Sequence, residues 1–438
     1  MSGFNIVAFL NKKRINEPLT ELEIKSFVRS VADGTLPNYQ ISAFLMAVCI
    51  NGLSAQETTW LTLAMAESGD FLLPLPNKKE GEIYVDKHSS GGIGDKTSLI
   101  LLPILAAGGL NVVKSAGRGL GFTGGTIDKL SSISVDTDIP LEEAFKILEK
   151  TKIFIIAQSK NISPVDKIFY QIRDVTATVE NVPLIASSIM SKKLSLNLDH
   201  LFLDVKYGSG AFCKTFEYAQ ELAALMYSIG KLAGLEVSVH ITSMQQPLGN
   251  CVGNAIELLE AQKFLAGEEV ASDLKEFITT FATDIFLLTG LFNNKASALA
   301  RVEEILKNKE ALKVSENWFK EQKGDIDSYI SRKYFNPKHK KDLLSPSEGY
   351  LNFKNNEVIG WLANELGAGR TSVESSIDMH AGFKFHKKIN DYVKKDDLLL
   401  TMYSSSPIKD SIVEKMLENM EFNSVANEIN RLIVQYEG

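Results

Sequence analysis

The chain has 438 residues, of which 45% are hydrophobic and 23% charged, and a formal net charge of −7. That length holds two or three domains and a sizeable core, the composition is that of an ordinary globular protein, and an acidic balance without a strongly basic block speaks against non-specific nucleic-acid binding. No apolar run reaches the length of a membrane span, the opening MSGFNIVAFLNKKR is not patterned as a secretory signal, and the well-separated Cys49, Cys213 and Cys251 read as reduced thiols of a cytoplasmic protein.

In chain order, residues 1–70 read as helices. Thr20 and Glu23 form a capping box, with Leu22, Ile24, Phe27, Val28 and Val31 on one face behind it, and Ser54 and Glu57 offer a second box. Residues 71–82, FLLPLPNKKEGE, read as a linker. Residues 83–130 then repeat one pattern twice: a short strand, a glycine-rich loop and a helix, which is a βαβ unit. The first strand is expected at Ile83–Val85, a sharp turn at Asp86–Gly92 and a helix at Leu99–Ala107. The second strand is Val112–Val113, followed by the loop 117–121 and a helix opened by Thr126.

Both loops point to an anion. Small residues let the backbone approach a ligand, and free N–H groups at a helix start favour phosphate. Lys87 and Lys114 supply positive charge, and Ser89, Ser90, Ser98, Thr123 and Thr126 supply hydroxyl donors. Neither loop is a Walker A sequence or a dinucleotide fingerprint. From the residues alone, a pair of tight, self-satisfied turns is the competing reading.

Residues 141–150 form an amphipathic helix and Ile153–Ala157 a strand, and residues 158–196 return to helix. There Ser188 and Lys192 stand four apart and share a face, and Arg173 lies in the preceding run. Such donors suit the carbonyl oxygens of a planar base, against the blander reading of a salt-bridged surface helix. A strand and glycine turn follow at 199–212, then a strand at Leu235–Ile241, the loop SMQQPLGNCVGNA, a helix from Ala255 and amphipathic helices over 268–330. From Gly349 short runs broken by glycine read as a small α+β unit, with GAGR at 367–370 as a structural turn. His380 and His386 are the closest histidine pair, too little for a metal site.

The segments VDKHSSGGIGDKTSL, AGRGLGFTGGTIDKL, RDVTATV with SSIMSKK, and DVKYGSGAF resemble the signatures of the thymidine and pyrimidine-nucleoside phosphorylases. DGTLPNYQISAFLMAV resembles that family's all-helical start. The fold class expected is multidomain, all-α plus α/β: a discontinuous helical domain from 1–70 and 158–196, a larger α/β phosphate-binding domain with a central sheet from 71–157 and 197–338, and a C-terminal α+β domain from 339–438. The resemblance implies reversible phosphorolysis of thymidine, deoxyuridine or uridine to free base and (deoxy)ribose 1-phosphate. Phosphate is then the co-substrate, no organic cofactor is needed, and a homodimer forms through the helical domain.

Carried over by position, the resemblance gives Lys87, Ser89, Ser98, Lys114 and Thr126 to phosphate. Ser115 stands beside Ala116, where the family has a phosphate-binding serine. Arg173, Ser188 and Lys192 hold the pyrimidine, with Tyr170 beside it. His88, Arg173 and Lys192 are the catalytic set, and His88 gives a hydrogen bond or a proton to the leaving base, a structural histidine being the alternative. The resemblance also implies a monovalent cation, potassium, among the backbone oxygens of Leu248 and Cys251, the Glu260 carboxylate, Gly94 and position 96. That position is Lys96, whose ammonium repels potassium and can replace it, so ion and lysine stand as alternatives. Phe122 (where histidine is common), Ser243 and Gln245 also depart from the pattern. The competing functions are a binding-only homologue without turnover and an enzyme like the anthranilate phosphoribosyltransferases, although no acidic pair is placed for magnesium.

Overall fold

Side-chain period and strand pairing organise the centre of the molecule. The computed structural model describes residues 4–69, 78–119, 121–157, 162–370, 376–428 and 431–436; most of the expected linker at 71–82 and the expected boundary at residue 158 lie outside them. The strands are β1 (Tyr84–Ser89), β2 (Asn111–Ala116), β3 (Ile153–Ala157), β4 (His200–Tyr207), β5 (Glu236–Ser243) and β6 (Cys251–Gly253). After these come β7 (His339–Leu344), β8 (Gly349–Phe353), β9 (Gly382–Phe385), β10 (Tyr392–Val393), β11 (Leu398–Ser404), β12 (Met420–Asn423) and β13 (Ile433–Tyr436).

A six-stranded sheet runs β13-β5-β4-β1-β2-β3. Its inner five strands are parallel, and β13 joins β5 antiparallel. Helices cover both faces, as parallel strands require. On one face lies Thr97–Ala107, buried almost throughout, against Ser272–Leu288 and Glu310–Glu321. On the other lie Val182–Leu194 and Phe216–Leu232, which share a core with Leu201, Leu203 and Val205 of β4.

The amino-terminal helices Ile6–Arg14, Glu21–Ala32, Asn38–Asn51 and Ala55–Glu67 pack with Pro164–Arg173 around a separate core. Phe9 stacks on Phe27 and Phe44 with ring centroids 4.9 and 5.3 Å apart. Both expected capping boxes are made in full, each cap contributing about 1 kcal/mol. Leu184 belongs to this core, whereas Val182, Ala186 and Met190 of the same helix belong to the sheet's core. Helix Val182–Leu194 therefore joins the helical and α/β parts.

Residues beyond 338, joined by β6, build two antiparallel sheets, β10-β8-β12 and β6-β9-β11-β7, with helix Asn356–Leu366. The parts interlace. β13 returns to edge the central sheet, and β6 leaves the α/β stretch to pair with β9.

One local expectation changes. The chain does not turn at Asp86: β1 continues to Ser89, with Val85–Ser89 in parallel register with His200–Asp204. Charged residues within a strand masked its continuation, and each proves to be paired inside the protein.

Candidate active site

Strand alternation sorts the chemistry of β1. Successive side chains point to opposite faces, so Asp86 and His88 leave one face and Lys87 and Ser89 the other. Lys87 is wholly buried. Its Nζ lies 2.7 Å from Asp204 Oδ2, donates to Thr97 Oγ1 at 2.7 Å, and sits 5.5 Å from the ring centroid of Phe277. Lys206, two residues along β4 from Asp204, pairs with the same carboxylate at 3.0 Å. Burial pushes the Lys87 ammonium down, and Asp204 opposes that shift.

Asp95 closes this group. It accepts from Thr97 Oγ1 at 2.6 Å and from the Ser89 hydroxyl. Burial works against its charge, yet Lys206, Lys87 and Lys129 hold the Asp95 carboxyl well below the usual carboxylate range. Lys129 in turn pairs with Glu257 at 3.0 Å and donates to the Asp95 carbonyl at 2.8 Å. Ser98 lies buried in the first turn of helix Thr97–Ala107, and Thr126 is the first residue of helix Thr126–Ser131. Lys87, Ser89 and Asp95 thus meet directly beside the start of the helix that carries Ser98.

On the other face Asp86 bridges two lysines. Lys114 of β2 lies 3.3 Å from Oδ1, and Lys193 lies 2.7 Å from Oδ2. Lys114 also donates to the Lys87 carbonyl, and Lys193 to the Ser115 carbonyl at 2.8 Å. Ser115 Oγ is buried with no hydrogen-bond partner among the described residues, and Ala116 is buried beside it. His88 is partly exposed. Desolvation, then Lys193, Lys114, Lys192 and Lys87 in that order, push its imidazole well below its ordinary range. Lys192 acts on His88 from the helical side, which places the two expected half-sites within reach of one another's charge.

The residues of the expected base half gather around Asp166. Lys192 Nζ lies 2.7 Å from Asp166 Oδ2 and donates to Ser188 Oγ at 3.1 Å, as the four-residue spacing predicts. Asp166 Oδ1 is buried without a hydrogen-bond partner. Tyr170 is partly exposed on the neighbouring helix, and burial raises its phenol. Arg173 is mostly committed elsewhere: Nε donates to Thr178 O at 3.0 Å, one terminal nitrogen to Leu184 O at 3.1 Å and the other to Val179 O at 2.7 Å. Three of five N–H bonds hold the backbone that leads into helix Val182–Leu194 and its first turn.

The expected potassium site does not fit potassium. Lys96 Nζ donates to Leu248 O at 2.6 Å and Cys251 O at 3.0 Å, and pairs with Glu260 Oε2 at 2.8 Å. An ammonium already occupies the centre of the expected ligand set. Burial opposes its charge, but Glu260 and Glu257 hold the Lys96 ammonium above its usual range. Gly94 is required there: its φ is +76°, and a Cβ would meet Leu248 O at 2.7 Å. Among the described residues no cluster of three histidine, cysteine or acidic side chains is placed for a metal, and all three cysteines are free.

The residues sequence reasoning missed are Asp86, Asp95, Lys129, Asp166, Lys193, Asp204 and Lys206. Their available signal was charge set inside apolar runs, as in Val85-Asp86-Lys87 and Asp204-Val205-Lys206, because buried charges must be paired. A cavity of about 880 Å³ lies apart from these groups, beyond β4 and β5 and lined by Ser209, Gln245, Asp273, Asn352 and Arg431 among others.

The chain matches three family descriptions: the glycosyl transferase family helical bundle domain at residues 7–69, the glycosyl transferase family a/b domain at 81–312, and the pyrimidine nucleoside phosphorylase C-terminal domain at 350–423. It is 41% identical over 422 residues to the thymidine phosphorylase of Mycoplasma genitalium, covering 96% of this chain and 100% of that one. It is 40% identical over 424 residues to the pyrimidine-nucleoside phosphorylase of Bacillus subtilis, covering 96% and 97%. Among solved structures, the anthranilate phosphoribosyltransferase of Thermus thermophilus aligns with a TM-score of 0.57 at 18% identity, covering 72% of this chain and 99% of that one. That likeness concerns the fold alone.

Proposed function

The chain belongs to the thymidine and pyrimidine-nucleoside phosphorylase family, and we propose that it catalyses reversible phosphorolysis of pyrimidine nucleosides to free base and (deoxy)ribose 1-phosphate. The observation that supports the residue roles is the 2.7 Å ion pair of Lys193 with Asp86, which ties the helix bearing Ser188 and Lys192 to the strand bearing Lys87, His88 and Ser89.

In this reading, which follows the family resemblance, phosphate is held by Lys87, Ser89, Ser98, Lys114, Ser115 and Thr126. The pyrimidine lies against Tyr170, Ser188, Lys192 and the two remaining donors of Arg173. As the glycosidic bond lengthens, the sugar gains oxocarbenium character and negative charge develops on the base. Lys192 and Arg173 stabilise that charge from fixed positions. His88, held neutral by desolvation and by the lysines around it, serves as a hydrogen-bond donor to the base oxygen rather than as an imidazolium acid. Phosphate attacks C1′, and no covalent enzyme intermediate is needed. The Lys96 ammonium takes the structural part of the monovalent cation.

The domain division at 1–70 with 158–196, 71–157 with 197–338, and 339–438 is proposed as the evolutionary one. A homodimer is proposed through the helical part, where Tyr39, Ile50 and Val175 are 74%, 74% and 80% exposed. By contrast Phe44, Leu45 and Val48 are core. A cytoplasmic location is proposed from the free thiols; no helix of the described residues is long and apolar enough to cross a membrane.

The test is release of free base from thymidine, deoxyuridine and uridine, with and without phosphate. Phosphate-dependent release, lowered at least about 100-fold in Lys87→Ala and Arg173→Ala, is the expected result, and the ratio among substrates sets specificity. A folded protein that binds nucleoside and releases no base would instead support the binding-only reading that Ala116 and Phe122 suggest.

A further inference from the structure

Lys192 and Lys193 are neighbours on one helix with different destinations. Lys192 stays in the base half with Asp166 and Ser188. Lys193 runs into the sheet, is 2% exposed, and ends against Asp86 Oδ2 and the Ser115 carbonyl. The second oxygen of Asp86 takes Lys114, which also donates to the Lys87 carbonyl. One carboxylate therefore ties helix Val182–Leu194 to β1 and β2. Among the described residues no other ion pair joins that helix to the sheet, and the helix is the element shared by the helical and sheet cores. A buried ion pair adds little stability over an apolar contact of the same volume, whereas its directional bonds define one geometry.

We propose that Lys193 is a positioning residue that fixes the base-binding helix against the phosphate-binding strands through Asp86, setting the separation between leaving base and attacking phosphate. The proposal rests on the phosphorolysis reading. The charges facing His88 fit it: Lys87 on its own strand, Lys114 on β2, and Lys192 and Lys193 on the helix, with Asp86, Asp166 and Asp204 as their partners. After desolvation, Lys193 is the foremost of the four lysines that lower the His88 imidazole, so its removal is read at His88 as well as in turnover.

The experiment compares the parent with Lys193→Met and Lys193→Arg, well below each melting temperature. Lys193→Met is expected to lower kcat/KM for nucleoside and phosphate about 100-fold, the scale of a misplaced reacting pair, and Lys193→Arg to recover at least a tenth of the parent value. In the resting protein, the His88 imidazole titration read by NMR is expected to move upward in Lys193→Met. A folded Lys193→Met with kcat/KM within threefold of the parent, or an activity loss with a stationary His88 titration, overturns the proposal. If Lys193→Met does not fold, Lys193→Gln, which can still donate to the Ser115 carbonyl, is read against the same outcomes. Because the titration needs no substrate, a parent without phosphorolysis would defeat the activity reading while the tether remained open to the NMR measurement.

Discussion

At the residue scale, charge placement decides what His88 and Lys96 can do. Desolvation and the surrounding lysines push the His88 imidazole well below its ordinary 6.5. Between 6.5 and that lower value the unfolded chain binds a proton that the folded chain refuses. His88 therefore costs the fold stability progressively as pH falls through that window and none above it. On the proposed reading it serves at neutral pH as a neutral donor, so His88→Asn is expected to keep activity within about tenfold of the parent while His88→Leu loses about 100-fold or more. Steady-state kinetics at pH 7.5 check this, and equal losses in both variants would reject the donor role. Lys96 supports a second prediction. Its Nζ fills a cage of two carbonyls and a carboxylate, so the parent should show the same activity and melting temperature in potassium and in choline buffer. Lys96→Thr removes the ammonium and leaves Glu260 without its partner. It is expected to melt lower in choline and to regain melting temperature and activity as potassium is added. Potassium dependence of the parent, or none in Lys96→Thr, would count against the lysine as the resident cation.

At the element scale, much of the fold is legible because local rules govern it. The capping boxes at Thr20–Glu23 and Ser54–Glu57 form as spaced, Ser188 and Lys192 meet across one helical turn, and the βαβ unit at 83–130 folds as such. What escapes depends on long-range pairing. The sequence pattern ends β1 before Asp86, since a charge in a strand reads as a turn until its partners are known, and those partners, Lys193 and Lys114, stand 107 and 28 residues away. The pattern aims Arg173 at a base and does not show that three of its donors also hold backbone carbonyls of 178–184. An isolated arginine in sequence does not reveal a loop that needs capping. Arg173→Lys is a poor substitute, because an ammonium lacks the planar fork that reaches three carbonyls at once.

At the scale of the whole molecule, the carboxy-terminal part is structurally continuous with the site rather than appended to it. β13 pairs with β5 and covers the edge of the central sheet, and β6 pairs with β9. β6 begins at Cys251, whose carbonyl accepts from Lys96, so a strand from beyond 338 steadies the oxygen cage beside the first glycine loop. Lys388 extends the dependence, donating to Gly249 O at 2.6 Å and pairing with Asp273 at 2.9 Å. A fragment of residues 1–338 would keep the parallel strands that carry Lys87 and Lys114. It would also leave β5 as an open edge, with Val239 and Ile241 deprived of their β13 partners, and open apolar edges template association. That fragment is expected to melt broadly and at lower temperature than the full chain, to associate on concentration, and to lack phosphorolysis. Calorimetry and light scattering on the two proteins check this. A cooperative, monodisperse fragment with a melting temperature near that of the full chain would mean that the terminal sheets only flank the site, and that β6 holds the Lys96 cage without β9.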